Sequence, residues 1–112
     1  MSGEETIDEI LGGALTLRQT RRGYRFNLDS LILAHFVCVR PRSVNLDLGC
    51  GNGIIALVLA NRFGRTRWHG LELQTGLAEL ARKNAGANGL DGRVQIEEGD
   101  ARNIKNIYQP HF

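Results

Sequence analysis

The run Asp47-Leu48-Gly49-Cys50-Gly51-Asn52-Gly53 carries the clearest chemical potential in this sequence. It follows a short apolar stretch that reads as a strand and precedes one that reads as a helix, the context in which a glycine-rich turn receives a ligand. Glycines let the backbone turn sharply and come close to a bound molecule, and a helix start offers unpaired amides. Asp47 adds a negative charge at the same place. Two further acids fall at comparable positions. Glu72 ends the next strand, 19 residues after Gly53, and Asp100 in Gly99-Asp100-Ala101-Arg102 follows the third.

The charge of Asp47 selects among ligands. A dinucleotide would lay its pyrophosphate over this loop, where a carboxylate repels it, and the Lys-Ser/Thr of a triphosphate loop is missing. S-adenosylmethionine instead brings an ammonium and a carboxylate, which Asp47 and the backbone amides can receive. Glu72 lies near the spacing of about 20 residues at which an acid accepts the two hydroxyls of a ribose, and a carboxylate has an oxygen for each. Asp100 is placed to accept from an adenine amino group, although Gly-Asp is also an ordinary turn pair. Cys50 has no base set beside it by the sequence and reads as a small loop residue rather than a nucleophile. His35, His69 and His111 lack the spacing of metal ligands, so no metal is expected.

These residues need a scaffold that brings three strand ends together. Val44-Asn45-Leu46-Asp47-Leu48, Arg67-Trp68-His69-Gly70-Leu71-Glu72 and Arg93-Val94-Gln95-Ile96-Glu97 read as strands. A helix from Ile54 to Arg62 and another near Gly76 to Ala87 separate them, the second closed by Asn88-Gly89. Right-handed crossovers make this a βαβαβ half of a doubly wound α/β fold, three parallel strands in the order 3-2-1. Ahead of it, Ala14-Leu15-Thr16-Leu17-Arg18 and Tyr24-Arg25-Phe26-Asn27 alternate apolar and polar residues around Thr20-Arg21-Arg22-Gly23, the pattern of a hairpin. Asp29 or Ser30 would cap a helix through residues 31–37 that Pro41 ends. The chain thus divides into residues 1–43, a hairpin and helix, and residues 44–112, the βαβαβ half. The first strand is left as an open edge of Leu46 and Leu48, a hazard in a soluble protein. It implies a fragment of a longer protein, a homodimer through that edge, or a hairpin folded over it.

With 112 residues, 42% hydrophobic and 23% charged, the chain has the size and balance of one soluble domain. No apolar run approaches the roughly 20 residues of a membrane span, and the acidic start is unlike a signal peptide. Cys38 and Cys50 are too few for a disulfide scaffold and read as free thiols, so a cytoplasmic location is expected. The net charge is only +2, yet residues 11–42 carry six arginines against one acid. Arginine suits phosphate and bases, which makes Arg18, Arg21, Arg22 and Arg25, interleaved with Tyr24 and Phe26, candidates for touching nucleic acid. A solvated surface and a packed hairpin face explain the same residues. Trp68 reads as core or interface.

Together the three strand ends resemble those of class I S-adenosylmethionine-dependent methyltransferases, whose Rossmann-like fold the order 3-2-1 would begin. The flanks narrow the likeness. Residues 23–34, the run Asp47 to Leu57, Gly70-Leu71-Glu72-Leu73-Gln74 and Leu77-Ala78-Glu79-Leu80-Ala81-Arg82 with Asn88-Gly89-Leu90 are similar to bacterial tRNA adenine-N6 methyltransferases of the valine-tRNA type. The resemblance implies methyl transfer from S-adenosylmethionine to an adenine amine of tRNA. It places Asp47, Gly49, Cys50, Gly51, Asn52 and Gly53 at the methionine end of the cofactor, Glu72 and Leu73 at the ribose, Asp100 and Ala101 at the adenine, and Leu28 in the segment over the pocket. That family's Asn-Pro-Pro-aromatic catalytic motif has no counterpart here, the nearest remnant being Gln109-Pro110-His111-Phe112. The expectation is therefore the cofactor-binding part of such an enzyme, with no catalytic residue assigned. A non-catalytic module that dimerises or binds RNA is the alternative, and a nicotinamide-binding domain the remoter one.

Overall fold

A computed structural model describes residues 4–21 and 28–103, Leu28 by its backbone alone. Strands β1 (Glu5–Ile10) and β2 (Leu15–Thr20) are followed by helix α1 (Leu28–Phe36), strand β3 (Val44–Leu48), helix α2 (Ile54–Arg62), strand β4 (Arg67–Glu72), helix α3 (Thr75–Ala87) and strand β5 (Val94–Glu98). From β3 onward the elements match the sequence expectation to within one residue at each end. β3, β4 and β5 form one parallel sheet with β4 in the middle, as expected for the βαβαβ half of a mixed α/β, Rossmann-like fold.

The hairpin is real but uses different residues. β2 pairs antiparallel with the acidic segment β1, from Ile10 opposite Leu15 to Glu5 opposite Thr20. Thr20, expected in a turn, ends a strand. The reversal is at Leu11-Gly12-Gly13, where all three residues have positive φ, a conformation two adjacent glycines adopt cheaply. β1 escapes a pattern reading because its two isoleucines are three apart and its strand form comes from pairing with β2. The other proposed arm, Tyr24-Arg25-Phe26-Asn27, and the Arg22-Gly23 turn lie outside the described residues. Helix α1 also starts earlier than expected, so Asp29 and Ser30 occupy its first turn, where Asp29 faces the positive end of the helix dipole.

The core lies between the sheet and the hairpin. Helix α2 is apolar nearly all round because it is covered on several sides: Ile54 and Ala56 through Ala60 are all buried. They join Trp68, Val94 and Ile96 of the sheet, Ala78, Ala81 and Ala85 of α3, and Ile10, Leu15 and Leu17 of the hairpin in one cluster. Trp68 is thereby a core residue, its indole N–H donating to Thr66 Oγ1 (2.8 Å). The hairpin docks on α3 and α2 rather than over β3. Among the described residues β3 has only β4 beside it, and Val44 and Leu48 are half exposed.

Gly70 sets the distance between the sheet and the glycine loop. A Cβ there would come within 2.8 Å of both Cys50 Sγ and Ile96 Cδ1, closer than packed atoms tolerate. Gly70→Ala is expected to destabilise the fold by about 1–3 kcal/mol, the usual cost of overpacking, measured as a fall in the urea unfolding midpoint. An unchanged midpoint would mean that the loop rides freely above the strand.

Candidate functional site

The loop at residues 49–53 curls back over the carboxyl end of β4. The amides of Gly49 and Cys50 both donate to the Leu71 carbonyl (2.7 and 3.1 Å), and the Gly53 amide donates to the Cys50 carbonyl (2.9 Å). The Gly51 amide donates to Glu72 Oε1 (2.8 Å), while Glu72 Oε2 accepts from the Gln74 amide (2.9 Å). Gly49, Gly51 and Gly53 all have positive φ, which is why this path needs glycine at alternate positions. Four loop amides are thus engaged inside the protein, which corrects the expectation that they stand free for a ligand.

That leaves the carboxylates as the site's chemistry. Asp47, one residue before the end of β3, lies opposite Gly70, and its Oδ2 is buried with no hydrogen-bond partner among the described residues. Burial first, and then the negative charge of Glu72, push Asp47 up to about 6. A buried, unpartnered carboxylate oxygen is costly, and its natural complement is a cationic group. Glu72 is itself buried. Its oxygens each receive one backbone bond and keep further lone pairs.

The remaining candidate residues divide. Cys50 is buried and its thiol is pushed up to about 12, by burial first and then by Asp47 and Glu72; it stays protonated and fills the space above Gly70. Asn52 is fully buried on the inner side of the loop, where its Oδ1 accepts from the Ile54 amide (3.3 Å) and its Nδ2 donates to Gln19 Oε1 (3.4 Å). Leu73 is 64% exposed immediately after Glu72, an apolar surface beside the acid. Asp100 reaches the same end of the sheet, since the Gly99 amide donates to the Glu72 carbonyl (2.9 Å). Its carboxylate, however, is gripped by Arg102 through backbone and guanidinium, chiefly the guanidinium bonds, which lower it to about 2. Ala101 is exposed beside it. Leu28 opens α1, and its side chain is outside the described residues.

Of the arginines proposed for nucleic acid, Arg18 is half-buried on β2, Arg21 is exposed and pairs with Glu4 (3.5 Å), and Arg22 and Arg25 lie outside the described residues. Other arginines bond to protein carbonyls. Arg62 Nη1 donates to the carbonyls of Ala34, His35 and Val37, and Arg93 to those of Ala60, Phe63 and Thr66. Sequence reasoning missed Gln19 and Asn84 and read Asn88 only as part of the close of α3, although all three brace the loop and hairpin; the one signal was an asparagine inside a helix, where amides are poor formers, four residues before the Asn88 cap.

Comparison with known proteins agrees with this geometry. A tRNA1(Val) (adenine(37)-N6)-methyltransferase of Porphyromonas gingivalis is 47% identical over 55 residues, 49% of this chain and 22% of that protein. The protein of the same description from Yersinia pestis is 30% identical over 108 residues, 91% of this chain and 43% of its own length. The chain therefore spans less than half of these curated relatives. Among solved structures, a SAM-dependent methyltransferase from Thiobacillus denitrificans in complex with S-adenosyl-L-homocysteine superposes with a TM-score of 0.59 at 28% identity, over 68% of this chain and 31% of that one. An RNA methyltransferase from Salinibacter ruber, in complex with the same compound, gives 0.53 at 36% identity, over 64% and 44%. Residues 46–111, from the third residue of β3 onward, match the family model described as a methyltransferase domain, and the chain belongs to that family.

Proposed function

We propose that this chain is the S-adenosylmethionine-binding part of a methyltransferase whose substrate is the N6 amine of an adenine in tRNA. The observation that carries the cofactor reading is the buried, unpartnered Oδ2 of Asp47 beside the Gly49–Gly53 turn. An ammonium supplies the partner it lacks. With four loop amides turned inward, a pyrophosphate would meet two carboxylates and few donors, which argues against a dinucleotide. Glu72 offers its remaining lone pairs to ribose hydroxyls, and Leu73 an apolar face for a purine ring. Asp100, with Ala101 beside it, reaches adenine only with Arg102 attached or displaced. When bound, the cofactor supplies a methyl group activated on a sulfonium. The part of these residues is to hold and orient it.

The tRNA substrate is supported by the two curated relatives above, both described as tRNA1(Val) (adenine(37)-N6)-methyltransferases. Arg18 and Arg21 on the hairpin are the described candidates for its phosphates, by charge-assisted contact. Methyl transfer to tRNA by the 112-residue chain would assign it the whole reaction. Cofactor binding without transfer would assign it the holding of the cofactor alone.

Calorimetric titration with S-adenosylhomocysteine, which keeps the ammonium, tests the reading directly. Asp47→Asn is expected to weaken binding by about tenfold or more, the worth of a charged hydrogen bond. The same substitution is expected to stabilise the ligand-free fold. Asp47 is raised from 3.8 to about 6, so between these values the folded state holds a proton that the unfolded state has released. Stability therefore falls as pH rises through this window, and the penalty is complete above about 6. Removing the charge should raise stability at pH 7.5 by about 1–2 kcal/mol, allowing for partial solvation of the group. Wild-type affinity at the reverse end loses up to about tenfold per pH unit below 6, as Asp47 takes a proton and no longer attracts the ammonium. An Asp47→Asn chain that binds like wild type, with the same pH profile, would refute the assignment.

A further inference from the structure

The outer edge of β2 is not free: helix α3 closes it with two asparagine side chains. The Thr16 amide donates to Asn88 Oδ1 (2.8 Å), and the Thr16 carbonyl accepts from Asn88 Nδ2 (2.7 Å). Two residues on, the Arg18 amide donates to Asn84 Oδ1 (2.7 Å), and the Arg18 carbonyl accepts from Asn84 Nδ2 (3.0 Å). The helix stands in for a third strand of the hairpin. The match is metric, since four residues of α-helix rise about 6.0 Å and two residues of antiparallel strand about 6.8 Å.

The two asparagines differ in what else they touch. Asn88 Nδ2 also donates to the Asn84 carbonyl (2.8 Å), within its own helix. Asn84 Nδ2 also donates to the Asn52 carbonyl (2.9 Å), inside the glycine loop. Both Asn84 and Asn52 are fully buried, so neither bond can be replaced by solvent. A primary amide has two N–H donors and an acceptor, and Asn84 spends them on two elements at once. Gly51, next to Asn52, is the residue whose amide holds the Glu72 carboxylate. The linkage therefore runs from β2 through Asn84 to Asn52, Gly51 and Glu72.

We propose that Asn84 is a positioning residue for the cofactor site, tying the glycine loop to strand β2 and thereby fixing the orientation of Glu72. The proposal rests on the cofactor reading above. It makes the hairpin, whose Gln19 also accepts from Asn52 Nδ2 (3.4 Å), a part of the site's architecture, although no hydrogen bond from it to Asp47 or Glu72 is found among the described residues. Asn88 is the matched control: it holds the Thr16 amide and carbonyl as Asn84 holds those of Arg18, accepts in addition from Thr16 Oγ1 (3.5 Å), and makes no described hydrogen bond to the loop.

The test compares Asn84→Ala with Asn88→Ala by two readouts. Amide hydrogen exchange in the ligand-free chain, with Gly51 referred to a β4 amide such as Leu71, reports loop opening apart from global unfolding. Both variants should lower the unfolding midpoint. Asn84→Ala should accelerate Gly51 exchange by about tenfold relative to the control and weaken S-adenosylhomocysteine by a similar factor, with Asn88→Ala changing affinity by less than about threefold. If Asn84→Ala does not fold, Asn84→Ser, whose hydroxyl is too short and has one donor, is expected to show the same contrast. Equal effects of the two positions on Gly51 exchange and on affinity would overturn the assignment of Asn84 while leaving the cofactor reading intact. A wild-type chain that takes up no S-adenosylhomocysteine would overturn that reading and the role of Asn84 with it.

Discussion

Two like charges share one corner of this molecule, and the local structure is arranged around that fact. Asp47 and Glu72 lie at the carboxyl ends of neighbouring strands, and the charge of Glu72 adds to the burial that makes Asp47 costly to ionise. Glu72 is compensated by the Gly51 and Gln74 amides, and Asp47 Oδ2 by nothing described. The loop can reach Glu72 only because its glycines accept positive φ, and it can lie low enough only because Gly70 has no Cβ beneath Cys50. A change at any of these positions reaches the carboxylates through no more than a few bonds.

A second device recurs through the fold: long side chains finish backbone structure that the chain leaves incomplete. Arg62 gathers three carbonyls at the end of α1, and Arg93 three around the end of α2, where a helix leaves acceptors without partners. Arg82 Nε donates to the Ile96 carbonyl of edge strand β5 (3.1 Å), and Asn84 with Asn88 closes the edge of β2. An arginine fork suits this work because it offers several donors in one plane. These three arginines lie outside the basic segment at residues 11–42, and their work is structural.

The parallel half was legible because its signals are local. Each strand from Val44 onward is a short apolar or alternating run bounded by turn residues, and each helix is apolar on the faces it buries. Asp47 and Glu72 were found by position at strand ends. The hairpin partner was not, because Glu5–Ile10 carries acids on a strand whose form depends on pairing rather than pattern. The inward turning of the loop amides and the burial of Asn52 were equally hidden. Both follow from contacts with residues 20 to 35 positions away in sequence, Leu71 and Glu72 on one side and Gln19 and Asn84 on the other. Asp100 was located correctly at the third strand end, but its capture by Arg102 two residues later is a side-chain choice that spacing does not determine.

The uncompensated state of Asp47 has a thermodynamic consequence for any cationic ligand. A charge desolvated in the free protein weakens the fold, and the relief of that cost when a cationic partner neutralises it is part of the partner's binding free energy. At equal free ligand concentration the wild type should then be stabilised more than the Asp47→Asn variant, because it binds the ligand more tightly. The geometry adds a direction. On one side the sheet is guarded by Arg82 along β5; on the other, β3 presents Val44 and Leu48 with no described element across it. The edge left open among the described residues and the unpartnered carboxylate thus belong to the same strand.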